Sequence, residues 1–173
     1  MKVTLASFHD LAELASFARA TYKTAYSEEM GLRAVMSHIE ANMSDHHFEE
    51  MIKSDTFYLV RESTQIIGFA QIGAVDISYQ KFVTDFNPGG SELRRLYVLA
   101  EAQSKGVGST LIEHVLQDPF IANTASVYLT TWESNHGAQR LYRKYNFEKI
   151  GEIPEYETDG TLSGYEYIMV RHN

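Results

Sequence analysis

Cysteine is absent from this chain, so neither a disulfide framework nor a thiol nucleophile is available to it. Basic residues are also in deficit: fifteen Lys and Arg against twenty-three Asp and Glu give a formal net charge of -8. Phosphate contacts need clustered Lys and Arg, which argues against nucleic acid as the main partner, whereas an amine or cationic substrate is electrostatically easier. No apolar run approaches the length that spans a bilayer, so no membrane partner is expected. The first residues do not form a charged-then-apolar leader, and a cytoplasmic protein is expected.

What is present is an ordinary globular composition, 44% apolar and 22% charged. At 173 residues, with no repeats, linkers or low-complexity tracts, the chain reads as a single domain over 1–173 that buries a sizeable core without disulfides or metals. Val3 and Leu5 alternate in a first strand. Leu11, Leu14, Ala15, Ala18 and Tyr22 then recur at helical spacing behind Asp10, a plausible N-cap. A second helix is predicted from about Glu28 to Asn42, with Val35, Ile39 and Met43 as its buried stripe, and a short third piece carries Phe48, Met51 and Ile52. "TFYLV" (56–60) and "QIIGFAQIG" (65–73) read as a hairpin. Residues 74–91 lack periodicity and read as a long loop, a kind of segment that is often functional in compact domains.

The stretch "ELRRLYVLAEAQSKGVGSTLIEHVL", Glu92 to Leu116, carries the strongest signal. A strand gives way to a polar turn with Gly106 and Gly108 and at once to a helix. Glycine there lets backbone approach a ligand, and the N–H groups of a first helical turn sit at the positive end of the helix dipole, where a pyrophosphate fits. A plain strand-to-helix turn that uses glycine for geometry alone is the alternative. The Rossmann pattern lacks its third glycine, and the nucleotide-triphosphate loop lacks its Gly-Lys-Ser/Thr ending. Beyond this stretch, a strand in "SVYLTTW" (126–132), a helix over 135–145, a short strand near Phe147 to Gly151 and a last strand in "GYEYIMV" (164–170) complete a mixed α/β domain. Its sheet is largely antiparallel at first, with a βαβ-like crossover in the second half.

Gln103-Ser104-Lys105-Gly106-Val107-Gly108, after the strand Leu96-Tyr97-Val98, matches the Gln/Arg-x-x-Gly-x-Gly/Ala signature of the GNAT superfamily of acyl-CoA N-acyltransferases. A second segment, "YLTTWESNHGAQRLYRKYNFEKIG" (128–151), resembles that family's later block. The resemblance spans roughly Val3 to Val170, and Glu-Leu-x-Arg-Leu-Tyr-Val with Trp-Glu-x-Asn is most similar to the bacterial polyamine and small-amine acetyltransferases. It implies an α+β fold with a mostly antiparallel sheet of about six to seven strands flanked by about four helices. It further implies acetyl-CoA as co-substrate, with no metal, and a homodimer as a common assembly.

The same resemblance places roles on single residues. The backbone of Leu96, Tyr97 and Val98 would run beside the pantetheine arm, an N–H there polarising the thioester carbonyl. Gln103, Ser104, Lys105, Gly106, Val107, Gly108 and Ser109 would enclose the pyrophosphate. Asn135 and Ala138 would lie by the pantetheine arm, and Tyr142 would protonate the departing thiolate. Glu92 would take a proton from the ammonium, directly or through water, because an amine attacks only when neutral. Each has a plainer reading: Tyr142 as a packing tyrosine, Glu92 as a solvated strand-end charge, Asn135 as an N-cap, Lys105 as a surface charge. "DHHFEE" (45–50) reads as a solvated helix face rather than a metal site, and Tyr128 and Trp132 as core.

The acceptor region implied by the fold draws on Tyr26, Glu28, Glu29, Tyr79, Phe82, Phe86, Glu155, Tyr156 and Tyr165, whose acidic and aromatic character suits a cation. Three functions follow: an N-acetyltransferase acting on a small amine, polyamine or amine-bearing antibiotic by direct transfer in a ternary complex; a non-catalytic CoA-binding sensor or interaction module; and a peptide or protein N-terminal acetyltransferase.

Overall fold

Two compact units emerge from the computed structural model, which describes residues 1–156 and 159–173 and, at Glu29, the backbone alone. Met1–Gln71 with Arg95–Val115 forms the first, Ile72–Arg94 with Leu116–Asn173 the second.

The first unit contains β1 (Val3–Leu5), α1 (Leu11–Met30), α2 (Leu32–Asn42), α3 (Asp45–Ser54), β2 (Thr56–Glu62) and α4 (Val107–Val115), with most of β3 (Gln65–Ala74) and the second half of β4 (Ser91–Val98). Leu14, Ala15 and Ala18, one face of α1 by their spacing, are fully buried. They share a core with Val35 and Ile39 of α2, Phe48 of α3, Phe57 and Leu59 of β2, and Ile66 and Phe69 of β3. Strand alternation turns the intervening residues to the other face. There Tyr58 meets His114 of α4 edge-on, their ring centroids 4.6 Å apart. Both faces of the hairpin are therefore covered, and its strands read as nearly continuous apolar runs for that reason.

Two local expectations are corrected. The first helix does not yield to a second near Glu28; it continues to Met30, and the break falls at Gly31, whose φ of 79° ends the helical run. Asp10 precedes α1, but its side chain makes no cap bond to that helix. It accepts instead from the Ser7 backbone N–H (2.8 Å) and hydroxyl (2.9 Å), closing a single 3-10 turn, and it pairs with Arg61 at 2.8 Å.

The second unit contains α5 (Pro119–Ala122), β5 (Ser126–Trp132), α6 (His136–Lys144), β6 (Glu148–Tyr156) and β7 (Leu162–His172), with the segment Ile72–Arg94. β5 runs antiparallel to β7 in a register from Ser126↔His172 to Trp132↔Glu166, and β6 pairs with β7 as an antiparallel hairpin. The expected crossover is present: β4 pairs parallel with β5 through Ser91↔Val127 and Glu92↔Tyr128. The stretch expected to be a long loop is more ordered than its lack of periodicity implies. It contains a 3-10 turn, Ile77–Lys81, and buries Val75, Tyr79 and Val83 against Tyr128, Ile168 and Val170. Gly151 in β6 admits it closely, since a Cβ there would lie 2.6 Å from the Phe82 carbonyl oxygen.

The strands join in one seven-stranded, mostly antiparallel sheet of order β1-β2-β3-β4-β5-β7-β6. Six α-helices accompany it among the described residues, against about four expected. One of the extra ones is α5, a single turn for which Asp118 accepts from the Phe120 N–H and Pro119 opens the helix. No helix of the described residues is long and apolar enough to cross a membrane.

Candidate active site

β4 ends at Val98, and the chain turns by short-range bonds: Ala102 N–H to the Leu99 carbonyl (2.8 Å) and Gln103 N–H to the Ala100 carbonyl (3.2 Å). Ser104 and Gly106 then adopt left-handed φ values of 60° and 88°. Thr110 N–H donates to the Gly106 carbonyl at 2.9 Å, the first rung of the α4 ladder. The N–H groups of Val107 and Gly108 therefore belong to the turn ahead of that rung, at the positive end of the helix dipole. Gln103, Ser104, Lys105 and Gly106 are exposed, Gly108 and Ser109 half-buried, and Val107 is buried among the apolar residues of α4. Gln103 donates from Nε2 to the Val98 carbonyl at 3.3 Å. Leu96, Tyr97 and Val98 are half-buried, Tyr97 edge-on to Phe69 with centroids 5.2 Å apart. Gly106 needs glycine for its dihedral, but Gly108 does not: it has no positive φ, and glycine costs a helix about 1 kcal/mol relative to alanine.

α6 fixes the next three residues. Asn135 is its N-cap, the side-chain Oδ1 accepting from the Ala138 N–H at 3.1 Å. The other end closes as a Schellman motif: Asn146, at φ 63°, donates to the Arg143 carbonyl (3.0 Å), and Phe147 N–H reaches back to the Tyr142 carbonyl (3.2 Å). The motif's apolar contact is Phe147 against Tyr142, edge-on at 6.1 Å between centroids. The Tyr-x-Phe ending is thus the device that sets the position of Tyr142, which is only 6% exposed. Its packing role is plain from this geometry.

Glu92 is not the solvated strand-end charge of the plainer reading; it is 5% exposed. Its Oε1 accepts from the Tyr79 hydroxyl at 2.6 Å and its Oε2 from the Asp76 N–H at 3.0 Å, with Arg94 Nε 4.0 Å away. Burial raises its pKa against those hydrogen bonds, and burial beside the carboxylate pushes the Tyr79 phenol far above its ordinary range. Thr130 of β5 neighbours both Tyr79 and Glu166 of β7. Burial, then the neighbouring Glu155, lifts Glu166 to about 7. Neither Thr130 nor Glu166 is among the candidates drawn from sequence. The signal was there: in "GYEYIMV", Glu166 alternates onto the same face as the buried Ile168 and Val170, an acid in an apolar row.

Of the acceptor candidates, Tyr79 is joined to Glu92 and Tyr165 lies near the same end of β7, half-buried, its N–H donating to Glu133 at 3.1 Å. Phe82 and Phe86 lie within the segment Ile72–Arg94, Phe86 packing on Tyr128 at 5.4 Å, while Glu155 and Tyr156 are exposed on β6. Tyr26 and Glu28 belong to the first unit; Tyr26 leans on Tyr22 at 4.6 Å and Glu28 is exposed. The side chain of Glu29 lies outside the described residues. Tyr128 and Trp132 are buried as expected, and "DHHFEE" begins α3, with Asp45 paired to Arg19 at 2.7 Å.

Comparison with known proteins bears on the whole of this. An N-acetyltransferase encoded in the pepI 3' region of Lactobacillus delbrueckii subsp. lactis is 20% identical over 154 residues, covering 88% of this chain and 87% of that protein. An N-alpha-acetyltransferase of Saccharolobus solfataricus is 35% identical over 75 residues, 43% of each chain. The crystal structure of the PaiA N-acetyltransferase of Thermoplasma acidophilum, a complex with coenzyme A, superposes with a TM-score of 0.72 at 20% identity, covering 100% of both chains. Residues 15–147 match the acetyltransferase (GNAT) family as a whole. With the strand–turn–helix of Leu96 to Ser109 and the capped helix that carries Tyr142, the match establishes that this chain is an acyltransferase belonging to the acetyltransferase (GNAT) family.

Proposed function

We propose that the chain, acting as one acyltransferase domain over residues 1–173, moves an acetyl group from acetyl-CoA to a primary amine by direct transfer. The observation that carries the reading is the turn into α4. The left-handed Gly106 leads into α4, where the Val107 and Gly108 amides precede the first rung of the helix ladder. Amides of a first helical turn sit at the positive end of the helix dipole, so Gln103 to Ser109 would hold the pyrophosphate, mostly through main-chain N–H groups. Acetyl-CoA supplies an acetyl thioester, and its coenzyme A portion is the one ligand named in the Thermoplasma complex.

Each remaining part has one task. The backbone of Leu96 to Val98 polarises the thioester carbonyl, Asn135 and Ala138 lie along the pantetheine arm, and the Tyr142 phenol donates its proton to the departing sulfur. Glu92 is the final acceptor of the ammonium proton. Proton donors and acceptors placed this way contribute about a hundred- to ten-thousand-fold each. A small amine or polyamine is the preferred acceptor, since the chain is acidic overall and its candidate acceptor residues are acidic and aromatic. The N-alpha-acetyltransferase relative favours a second reading, a peptide N-terminus as acceptor.

Free-thiol release from acetyl-CoA with a panel of polyamines, small amines and peptides separates these. Turnover with polyamines or small amines above peptides supports the proposal, and turnover with peptides above free amines supports the second reading. Tight CoA binding with no thiol release from any acceptor overturns both.

A further inference from the structure

Arg95 has no task in the reading above, yet it is the charged residue nearest along the chain to the backbone proposed to hold the thioester, directly ahead of Leu96. Strand alternation puts it on the face of Tyr97, which packs edge-on to Phe69. That is the face of α1, because Phe17 also meets Phe69 edge-on, at 6.0 Å between centroids. Gly68 turns to the opposite face, where a Cβ would meet Val107 and Leu111 of α4. Arg95 and the helix proposed to hold the pyrophosphate therefore lie on opposite faces of the strands of the first unit. A cofactor that enters from α4 and ends beside β4 leaves the face of Arg95 to the acceptor.

The guanidinium is held by neutral groups. Nη1 donates to Gln71 Oε1 and to Met51 Sδ (3.1 Å), and the Phe48 ring centroid lies 6.0 Å from Cζ. Gln71 is fully buried, and its Nε2 donates to Asp55 Oδ2 at 2.6 Å. An amide thus stands between Arg95 and that carboxylate, and among the described residues no acid pairs with Arg95 directly. Its charge reaches α2, where it adds to burial in lowering the His38 pKa. Of the five N–H donors of an arginine, the two on Nη1 are matched by Gln71 and Met51. None of the described residues accepts from Nε or Nη2. Those two nitrogens form the edge that takes a carboxylate through parallel bonds. Arg95 is half-buried and retains exposed surface.

We propose that Arg95 determines the specificity of the acceptor site by taking a carboxylate of the acceptor on its Nε and Nη2 edge, so that the amine acetylated is a small one that also bears a carboxylate. The inference rests on the acetyltransferase reading and narrows its small-amine acceptor. The acidic chain draws the ammonium end, while Arg95 anchors the other end and sets the approach of the nitrogen to the thioester. A polyamine, cationic at both ends, is repelled at Arg95 rather than held.

The test is thiol release with acceptors in matched pairs that differ by one carboxylate: ornithine against putrescine, lysine against cadaverine, 4-aminobutyrate against propylamine. In wild type, kcat/KM is expected to be about tenfold or more higher for the carboxylate member of at least one pair. Arg95→Met is expected to bring that ratio to about one, chiefly by raising KM for the carboxylate member. Arg95→Lys keeps the charge and loses the fork, and an intermediate ratio is expected. A merely structural Arg95 would lower both members alike, so a wild-type ratio in Arg95→Met, or in Arg95→Lys where the methionine variant does not fold, overturns the proposal. A wild type that treats both members alike or prefers the decarboxylated ones also overturns it, and leaves the acetyltransferase reading intact. A wild type that binds CoA but acetylates nothing overturns that reading instead. Calorimetric titration of the three carboxylate acceptors into CoA-loaded protein then decides the site: binding that Arg95→Met loses supports it, and no binding by wild type overturns it.

Discussion

The Tyr79 hydroxyl donates to Glu92 across 2.6 Å, and the bond pins an excursion of the chain to the strand that opens the candidate active site. Tyr79 comes from the 3-10 turn Ile77–Lys81 and Glu92 from the start of β4, so the bond couples the order of one to the charge of the other. Tyr79→Phe keeps the ring and its packing but leaves a buried carboxylate oxygen one donor short. The expected cost is about 1–3 kcal/mol, read from denaturant midpoints with an unchanged slope.

Stability should depend on pH through Glu166. Its folded-state pKa of about 7 lies above the ordinary glutamate value of 4.5, so the folded chain binds this proton more tightly than the unfolded chain. The resulting contribution is fully present below the unfolded value and is lost as pH rises through the folded one. Glu166→Gln, which cannot ionise, should therefore flatten the decline in stability between about pH 5 and pH 8, gaining on the order of 1–3 kcal/mol over wild type at the upper end. Chemical denaturation at a series of pH values checks this. A wild-type curve as flat as the variant's would contradict it.

Gly151→Ala tests how the excursion is seated. The added Cβ would come within 2.6 Å of a backbone oxygen, that of Phe82, so the segment has to move rather than a flexible side chain. A loss of about 1–3 kcal/mol is expected, with amide hydrogen exchange accelerated over residues 77–83 and the far strands unaffected.

The end of α6 predicts an ordered pair of variants. Asn146→Gly should be tolerated or slightly stabilising, because glycine accepts the left-handed dihedral more readily than asparagine. Asn146→Val should cost about 1–2 kcal/mol and displace the Phe147–Tyr142 contact. If Tyr142 is the proton donor, the valine variant lowers kcat more than it weakens CoA binding.

Much of this architecture was written in local patterns. Helical spacing identified the buried face of α1, aromatic and branched runs the hairpin, and the Gly106-Val107-Gly108 turn the strand-to-helix junction. Asn135 was legible as a cap because capping is a contact between near neighbours. The rest depended on contacts distant in sequence. Nothing near residue 79 announces that its phenol meets residue 92, or that residues 75–90 fold back over the sheet, since that burial is set by Tyr128, Ile168 and Val170. The break at Gly31 was missed because apolar spacing runs straight through it, and only the reversed dihedral marks the end of the helix. Glu166 was a different kind of miss: the strand was read, but the acid on the same face as Ile168 and Val170 was not.

Calorimetric titration of acetyl-CoA into the wild type and Gly106→Ala, beside thermal denaturation of both without ligand, tests the central claim most directly. Alanine at the left-handed φ of 88° should strain the turn by about 1–2 kcal/mol and re-aim the amides that follow it, lowering stability and weakening binding. The account predicts one saturable site per chain in the wild type and weaker binding by the variant. Absence of heat in the wild type, or a folded variant that binds as tightly as before, would contradict it.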